Sequence, residues 1–284
     1  EKDTHAYWVE RLHPEKHRVD VRRMSLRLVA APLSVAKDLR QMLYEVKDSV
    51  VLSSATLRVG NDFRYMAKRM GAKDDRFQTL VAQSPFNYLT QSLVLASDWL
   101  PDPSSNFSSC VKELAALLSE LCARTKGRSL VLFTSYEMMN AVAEACRSDF
   151  GTVGLELLVQ GEGLSREAMT RRLKGGGRPC VLFGAQSFWE GVDVAGEALA
   201  CVVIARLPFA QVGDPVIEAR SEKIMREGGS AFRDYALPEA VIKFRQGFGR
   251  LIRTKRDRGI VVVTDPRLVT KNYGAIFRKS IPAP

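Results

Sequence analysis

Several features are scarce in this chain of 284 residues. No apolar run approaches the roughly 20 residues that a membrane-crossing helix needs, and no leader of basic residues followed by an apolar stretch opens it. Histidine is rare: His5, His13 and His17 share one early polar stretch, and Pro14 breaks the helical spacing of the last two, so they read as solvated side chains. Five cysteines, Cys110, Cys122, Cys146, Cys180 and Cys201, are widely spaced and odd in number. That pattern disfavours a disulfide framework or metal knuckle and reads as the reduced, mostly buried thiols of a cytoplasmic protein. There is no G-x-x-x-x-G-K-S/T loop to cradle nucleotide phosphates and no acidic box to hold magnesium. No strand exit carries a glycine fingerprint, which argues against dinucleotide and methyl-donor enzymes of the Rossmann type. Gly175-Gly176-Gly177 precedes a strand and reads as a turn. Internal repeats and low-complexity tracts are also missing.

The residues present are those of an ordinary globular protein, 46% hydrophobic and 26% charged. The balance is basic, with a formal charge of +10. A polyanionic partner follows from such an excess, because lysine and arginine displace counterions from nucleic acid whatever its sequence. Arg22-Arg23, Lys68-Arg69, Arg171-Arg172-Lys174 and Lys255-Arg256 with Arg258 carry much of it. Scattered clusters of this kind also serve solubility, and they do not distinguish DNA from RNA.

Short apolar runs alternate with helical periodicity through most of the chain. Strands are expected near residues 26–30, 49–53, 93–96, 130–133, 155–159, 181–183, 201–205 and 260–264. Helices are expected near 34–46, 109–124, 138–148, 166–173, 215–226 and 238–253. Alternation at this spacing implies an α/β fold, a parallel sheet with helices on both faces, whose strand-end loops lie along one edge.

Two segments carry chemistry. In Gln246-Gly247-Phe248-Gly249-Arg250-Leu251-Ile252-Arg253, the glutamine and both arginines are spaced by four and then three. The helix that begins near Pro238 is expected to run through them, so Gln246, Arg250 and Arg253 share a face, with Gly249 clearing space beside Arg250. The planar fork of arginine suits phosphate oxygens, although a solvated basic helix has the same spacing. The second segment follows the strand at 181–183: Gln186-Ser187-Phe188-Trp189-Glu190-Gly191-Val192-Asp193 sets a carboxylate on each side of a glycine, at a strand end where α/β proteins hold ligands.

The order of strand, E-G-V-D loop, strand and Q-x-x-G-R-x-x-R segment resembles the second motor domain of superfamily 2 helicases, in the DinG and XPD branch. Ser53-Ser54-Ala55-Thr56-Leu57 is similar to the S-A-T-L motif that closes the first motor domain. Ser84-Pro85-Phe86-Asn87-Tyr88, the Phe133-Thr134-Ser135-Tyr136 strand exit and Pro208-Phe209 with Asp214-Pro215 also match that branch. The resemblance spans residues 26–270 and implies a RecA-like parallel sheet, preceded by a short α/β remnant of the first motor domain. Residues 1–60 would be that remnant or the return of an inserted domain, 61–91 the interdomain hinge and 92–284 the second motor domain.

It further implies that ATP and Mg are held mainly by a first motor domain not in this chain, and that a 4Fe-4S cluster belongs to the upstream region in many relatives. Glu1 in place of Met and the missing phosphate loop then read as a C-terminal portion of a longer helicase, inactive by itself. Arg250 and Arg253 would be arginine fingers and Gln246 would orient a phosphate or water. Glu190, Gly191, Asp193 and Gly249 would line the nucleotide site, with Asp193 equally suited to partner an arginine. Ser135, Tyr136 and Ser187 would grip single-stranded or forked DNA, and relatives move 5′ to 3′ along it. Ser53, Ser54 and Thr56 would couple the two domains. Phe188-Trp189 would pack beneath the motif helix in preference to stacking on a base. A non-catalytic nucleic-acid-binding module is the alternative, but it has no need of Gln246, Arg250 and Arg253 beside an E-G-V-D loop.

Overall fold

The computed structural model describes residues 4–12, 25–60, 62–72, 75–175, 177–189, 198–211 and 213–281. By packing, the chain forms two compact units. One gathers residues 1–58, 62–79 and 210–238, and the other 59–61, 80–209 and 239–284.

In the first unit, β1 (His5–Leu12) and β2 (Ser25–Pro32) pair antiparallel, with His5 opposite Pro32 and Val9 opposite Leu28. The helix expected over 34–46 begins as α-helix at Ala36–Leu39 and continues as a π turn at Arg40–Tyr44. Gly71 ends the helix Arg64–Met70 in the left-handed region at φ 76, where a Cβ would also strike the Ala36 backbone. Only glycine meets both demands at low cost. The strand expected at 49–53 is not formed. Strands exist through ladder partners, and among the described residues none pairs with this stretch, whose Val51 is 91% exposed.

The second unit is built on six parallel strands: β3 (Ser92–Ala96), β4 (Ser129–Leu132), β5 (Glu156–Val159), β6 (Cys180–Gly184), β7 (Cys201–Ile204) and β8 (Gly259–Val263). Their spatial order is β3-β8-β7-β4-β6-β5. All six were legible as apolar runs. β4, β6 and β7 are buried along their whole length, as expected of strands covered on both faces. Helices Phe107–Arg124 and Tyr136–Thr152 bury Leu118, Cys122, Met139 and Cys146 against the sheet. Each has a side-chain cap, Asn106 accepting from the Ser109 N–H and Ser135 from the Met138 N–H.

From β4 the chain runs outward to β5, and from β7 it runs the opposite way to β8. The carboxyl ends of adjacent β4 and β7 therefore flank the divergence of connections, the place where open α/β sheets bind ligands. Among the described residues no helix is long and apolar enough to cross a membrane.

Candidate functional site

Three strand exits meet at one edge of the six-stranded sheet. Leu132 of β4 is level with Gly184 of β6, and Phe183 of β6 with Val159 of β5. The residues that follow are therefore neighbours. Ser135 caps the helix after β4, Tyr136 opens that helix with 44% of its surface exposed, and Ser187 lies in the short 3-10 turn Gln186–Phe188 after β6. Gln160, directly after β5, ties them together. Its Nε2 donates to the Tyr136 hydroxyl at 2.7 Å and to Ser187 Oγ at 3.0 Å. Its Oε1 accepts from the Ala185 N–H at 2.7 Å. Arg166 Nη1 donates to the Ser187 carbonyl. The sequence reading named all three hydroxyls and missed Gln160. A glutamine in Val159-Gln160-Gly161 carries no motif, and only the sheet order brings it beside residues 24 and 27 positions away.

The arginine segment departs from its expected geometry. The helix is Leu237–Phe248, ending five residues before Arg253. Gly249 makes the last i to i−4 bond, to the Arg245 carbonyl, and then Arg250 and Leu251 donate to the residues three before them. Two glycines in three residues lower helix propensity enough for the chain to leave the helix there. Gln246 is thus in the last helical turn and Arg250 and Arg253 lie beyond it, so the three do not share a helical face. The glycine role also shifts. A Cβ on Gly249 would meet the Arg245 carbonyl of its own turn at 3.3 Å. One on Gly247 would stand 3.0 Å from Trp189 Cζ3 and 3.2 Å from Leu132 Cδ1, so Gly247 is where another element packs closest.

Beyond the helix, a small scaffold fixes the path. Asp257, 5% exposed, accepts from the Arg253 and Thr254 N–H groups at 2.8 Å each and from Thr254 Oγ1 at 2.7 Å. Gln91 Nε2 donates to the Thr254 and Asp257 carbonyls, 2.9 Å each, while its Oε1 accepts from the Asn87 N–H. Both residues escaped the sequence reading. A buried Asp between Arg256 and Arg258 looks like one more surface charge.

Trp189 joins the two regions. It is 1% exposed and Phe188 is fully buried, so the aromatic pair packs inside the unit as expected. The Trp189 indole N–H donates to the Phe133 carbonyl at 2.8 Å, at the root of the Ser135-Tyr136 exit. Its own carbonyl accepts from Arg250 Nη2 at 2.6 Å. Lys243 Nζ lies 5.9 Å from the ring centroid, within cation–π range. Glu190, Gly191 and Asp193 follow Trp189 in the chain and lie outside the described residues. Ser53 and Ser54 are exposed in the other unit, where Ser54 Oγ accepts from the Thr56 N–H in a local turn.

At the exits of β7 and β8, Asp265 is fully buried. Burial raises its pKa, but hydrogen bonds from Arg267 and the Leu207 N–H, with the charges of Arg267 and Arg206, outweigh that and hold the carboxyl below the ordinary range. Burial pushes Cys122, Cys146 and Cys201 up to about 12 and Cys180 to about 11, which keeps them neutral and unreactive. Among the described residues no group of three or more His, Cys, Asp or Glu is placed to hold a metal ion.

Comparison with known proteins agrees with this architecture. Residues 118–284 match the family described as helicase C-terminal domain. The chain is 40% identical over 251 residues to the ATP-dependent DNA helicase YoaA of Haemophilus influenzae, covering 88% of this chain and 38% of the relative. To the ATP-dependent helicase DinG of Mycobacterium tuberculosis it is 35% identical over 276 residues, 97% of this chain and 40% of the relative. A solved XPD structure superposes with a TM-score of 0.64 at 19% identity over 88% of this chain and 51% of that one, a likeness of fold. The chain thus spans about two fifths of the curated relatives it matches. It belongs to the family of helicase C-terminal domains.

Proposed function

We propose that this chain is the C-terminal motor of an ATP-dependent DNA helicase, with residues 1–60 closing the first motor domain, 61–91 forming the hinge and 92–284 the second motor domain. Arg250 and Arg253 meet the charge that develops on the transferred phosphoryl group, a contribution on the order of 10³ to 10⁵ in rate where such fingers are measured. Gln246 orients a phosphate or the attacking water, and Gly249, with Glu190, Gly191 and Asp193, borders the nucleotide. Mg and most phosphate contacts would come from the first motor domain. Ser135, Tyr136 and Ser187 grip the backbone of single-stranded or forked DNA without reading bases. Ser53, Ser54 and Thr56 pass the state of the nucleotide between domains, and translocation runs 5′ to 3′.

The observation that carries this reading is the double attachment of Trp189. One buried residue accepts from Arg250 and donates to Phe133 at the root of the Ser135-Tyr136 exit. A module that only binds nucleic acid has no use for that link.

The test uses the polypeptide extended by its first motor domain. Arg253→Ala should abolish DNA-stimulated ATP turnover and leave single-strand affinity nearly unchanged, and Arg253→Lys should not restore turnover because a point charge cannot reproduce the planar fork. Turnover near the parent level in the alanine variant would remove the finger role. The 284-residue chain alone should hydrolyse no ATP.

A further inference from the structure

The hydrogen bonds at the strand-end edge have a direction, and one residue sets it. A backbone N–H can only donate, so the contact from Ala185 fixes Gln160 Oε1 toward it. The amide nitrogen then faces the other way, toward Tyr136 and Ser187, and each hydroxyl oxygen accepts one of its two N–H bonds. A hydroxyl has a single proton. Among the described residues neither Tyr136 nor Ser187 donates its proton to a protein acceptor, and both side chains are exposed. Ser135 has the same polarity, accepting at Oγ from the Met138 N–H. We infer that Gln160 is a positioning residue: by occupying the acceptor side of two hydroxyls, it makes this edge a set of O–H donors matched to an anion that only accepts, such as a phosphodiester backbone.

The inference rests on the DNA grip proposed above. Non-bridging phosphate oxygens carry no proton and take hydrogen bonds from hydroxyls readily. Were Gln160 to accept from Tyr136 and Ser187, the two hydroxyl protons would turn inward and the edge would present oxygen lone pairs to the phosphate. Gln160→Glu imposes that reversal with almost no change of shape, because one carboxylate oxygen still accepts from Ala185 and the other can accept from the hydroxyls.

The experiment is titration of the 284-residue chain with labelled oligo(dT), followed by anisotropy. Gln160→Glu should weaken binding about tenfold, as expected for exchanging donors to an anion for acceptors. Tyr136→Phe should weaken the parent chain about threefold and add little in the Gln160→Glu background. Gln160→Met, which keeps the bulk and adds no charge, should fall between and also shrink the Tyr136→Phe effect. Thermal melting identifies any variant that has lost its fold, and the Gln160→Met cycle decides if Gln160→Glu has. Parent-like binding by Gln160→Glu overturns the inference. So does a Tyr136→Phe loss of equal size in every background, since added charge alone would then account for the data. If Tyr136→Phe and Ser187→Ala both bind like the parent chain, the grip reading itself fails.

Discussion

Gly247 and Gly249 stand two positions apart and carry different constraints. A Cβ at 247 would press on Trp189 and Leu132 at 3.0 and 3.2 Å, against a ring held by its bond to Phe133. Gly247→Ala should therefore cost about 1 to 3 kcal/mol of overpacking, seen as a lower urea midpoint at constant slope. Gly249 is exposed and would meet only its own turn, so Gly249→Ala should stay within about 1 kcal/mol of the parent. Equal losses at both sites would contradict this assignment. From sequence, Gly249 was the natural choice because it precedes Arg250. Which glycine faces a neighbour depends on where the helix ends and on the packing of Trp189, and neither has a local signature. Gln91, Gln160 and Asp257 were hidden for a related reason. Each is an ordinary polar residue whose partners are mostly backbone groups and hydroxyls brought close by the sheet order.

Ser135 serves the helix Tyr136–Thr152 as well as the proposed grip. Ser135→Ala removes the N-cap and should cost about 1 kcal/mol, so weakened DNA binding by that variant would be ambiguous. Ser135→Asp separates the roles. Aspartate caps well and its charge suits the positive helix start, while it repels phosphate. Melting temperature should stay near that of the parent chain as oligonucleotide affinity falls. Retained affinity would remove Ser135 from the grip. Elements of this kind were the most legible: all six strands of the larger sheet and most of its helices follow from apolar periodicity, with boundaries shifted by a few residues. The failures were at 49–53, where a β-rich run has no ladder partner among the described residues, and at 249–253, where helical spacing continues after the helix has stopped.

For the molecule as a whole, titration brackets stability from both sides. Cys122, Cys146 and Cys201 are held neutral to about 12, whereas thiols freed by unfolding ionise from about 8.5. Their stabilisation is complete below that lower value and is lost as pH rises toward the folded one. Asp265 has the opposite sign. Its lowered pKa supports the fold above the ordinary carboxylate range, and the support is lost as pH falls through the folded value. Urea midpoints measured from about pH 2 to 11 should fall at both ends, and Asp265→Asn should flatten the acid limb. All five thiols are buried, so iodoacetamide at pH 8 should modify none in the native chain and all five in urea. The formal charge of +10 gives a further expectation. Oligonucleotide affinity should drop steeply as salt is raised, with little dependence on base sequence. The pairing of β3 with β8 bears on how the unit is made. Among the described residues the only sheet neighbour of β3 is β8, the last of the six strands in chain order, and Gln91 finds its Asp257 partner 166 positions later. Such closure pays its loop entropy before contacts return anything. On the ribosome, β3 therefore stays without its ladder partner until Gly259–Val263 emerges, an interval in which its unpaired edges are open to wrong pairings.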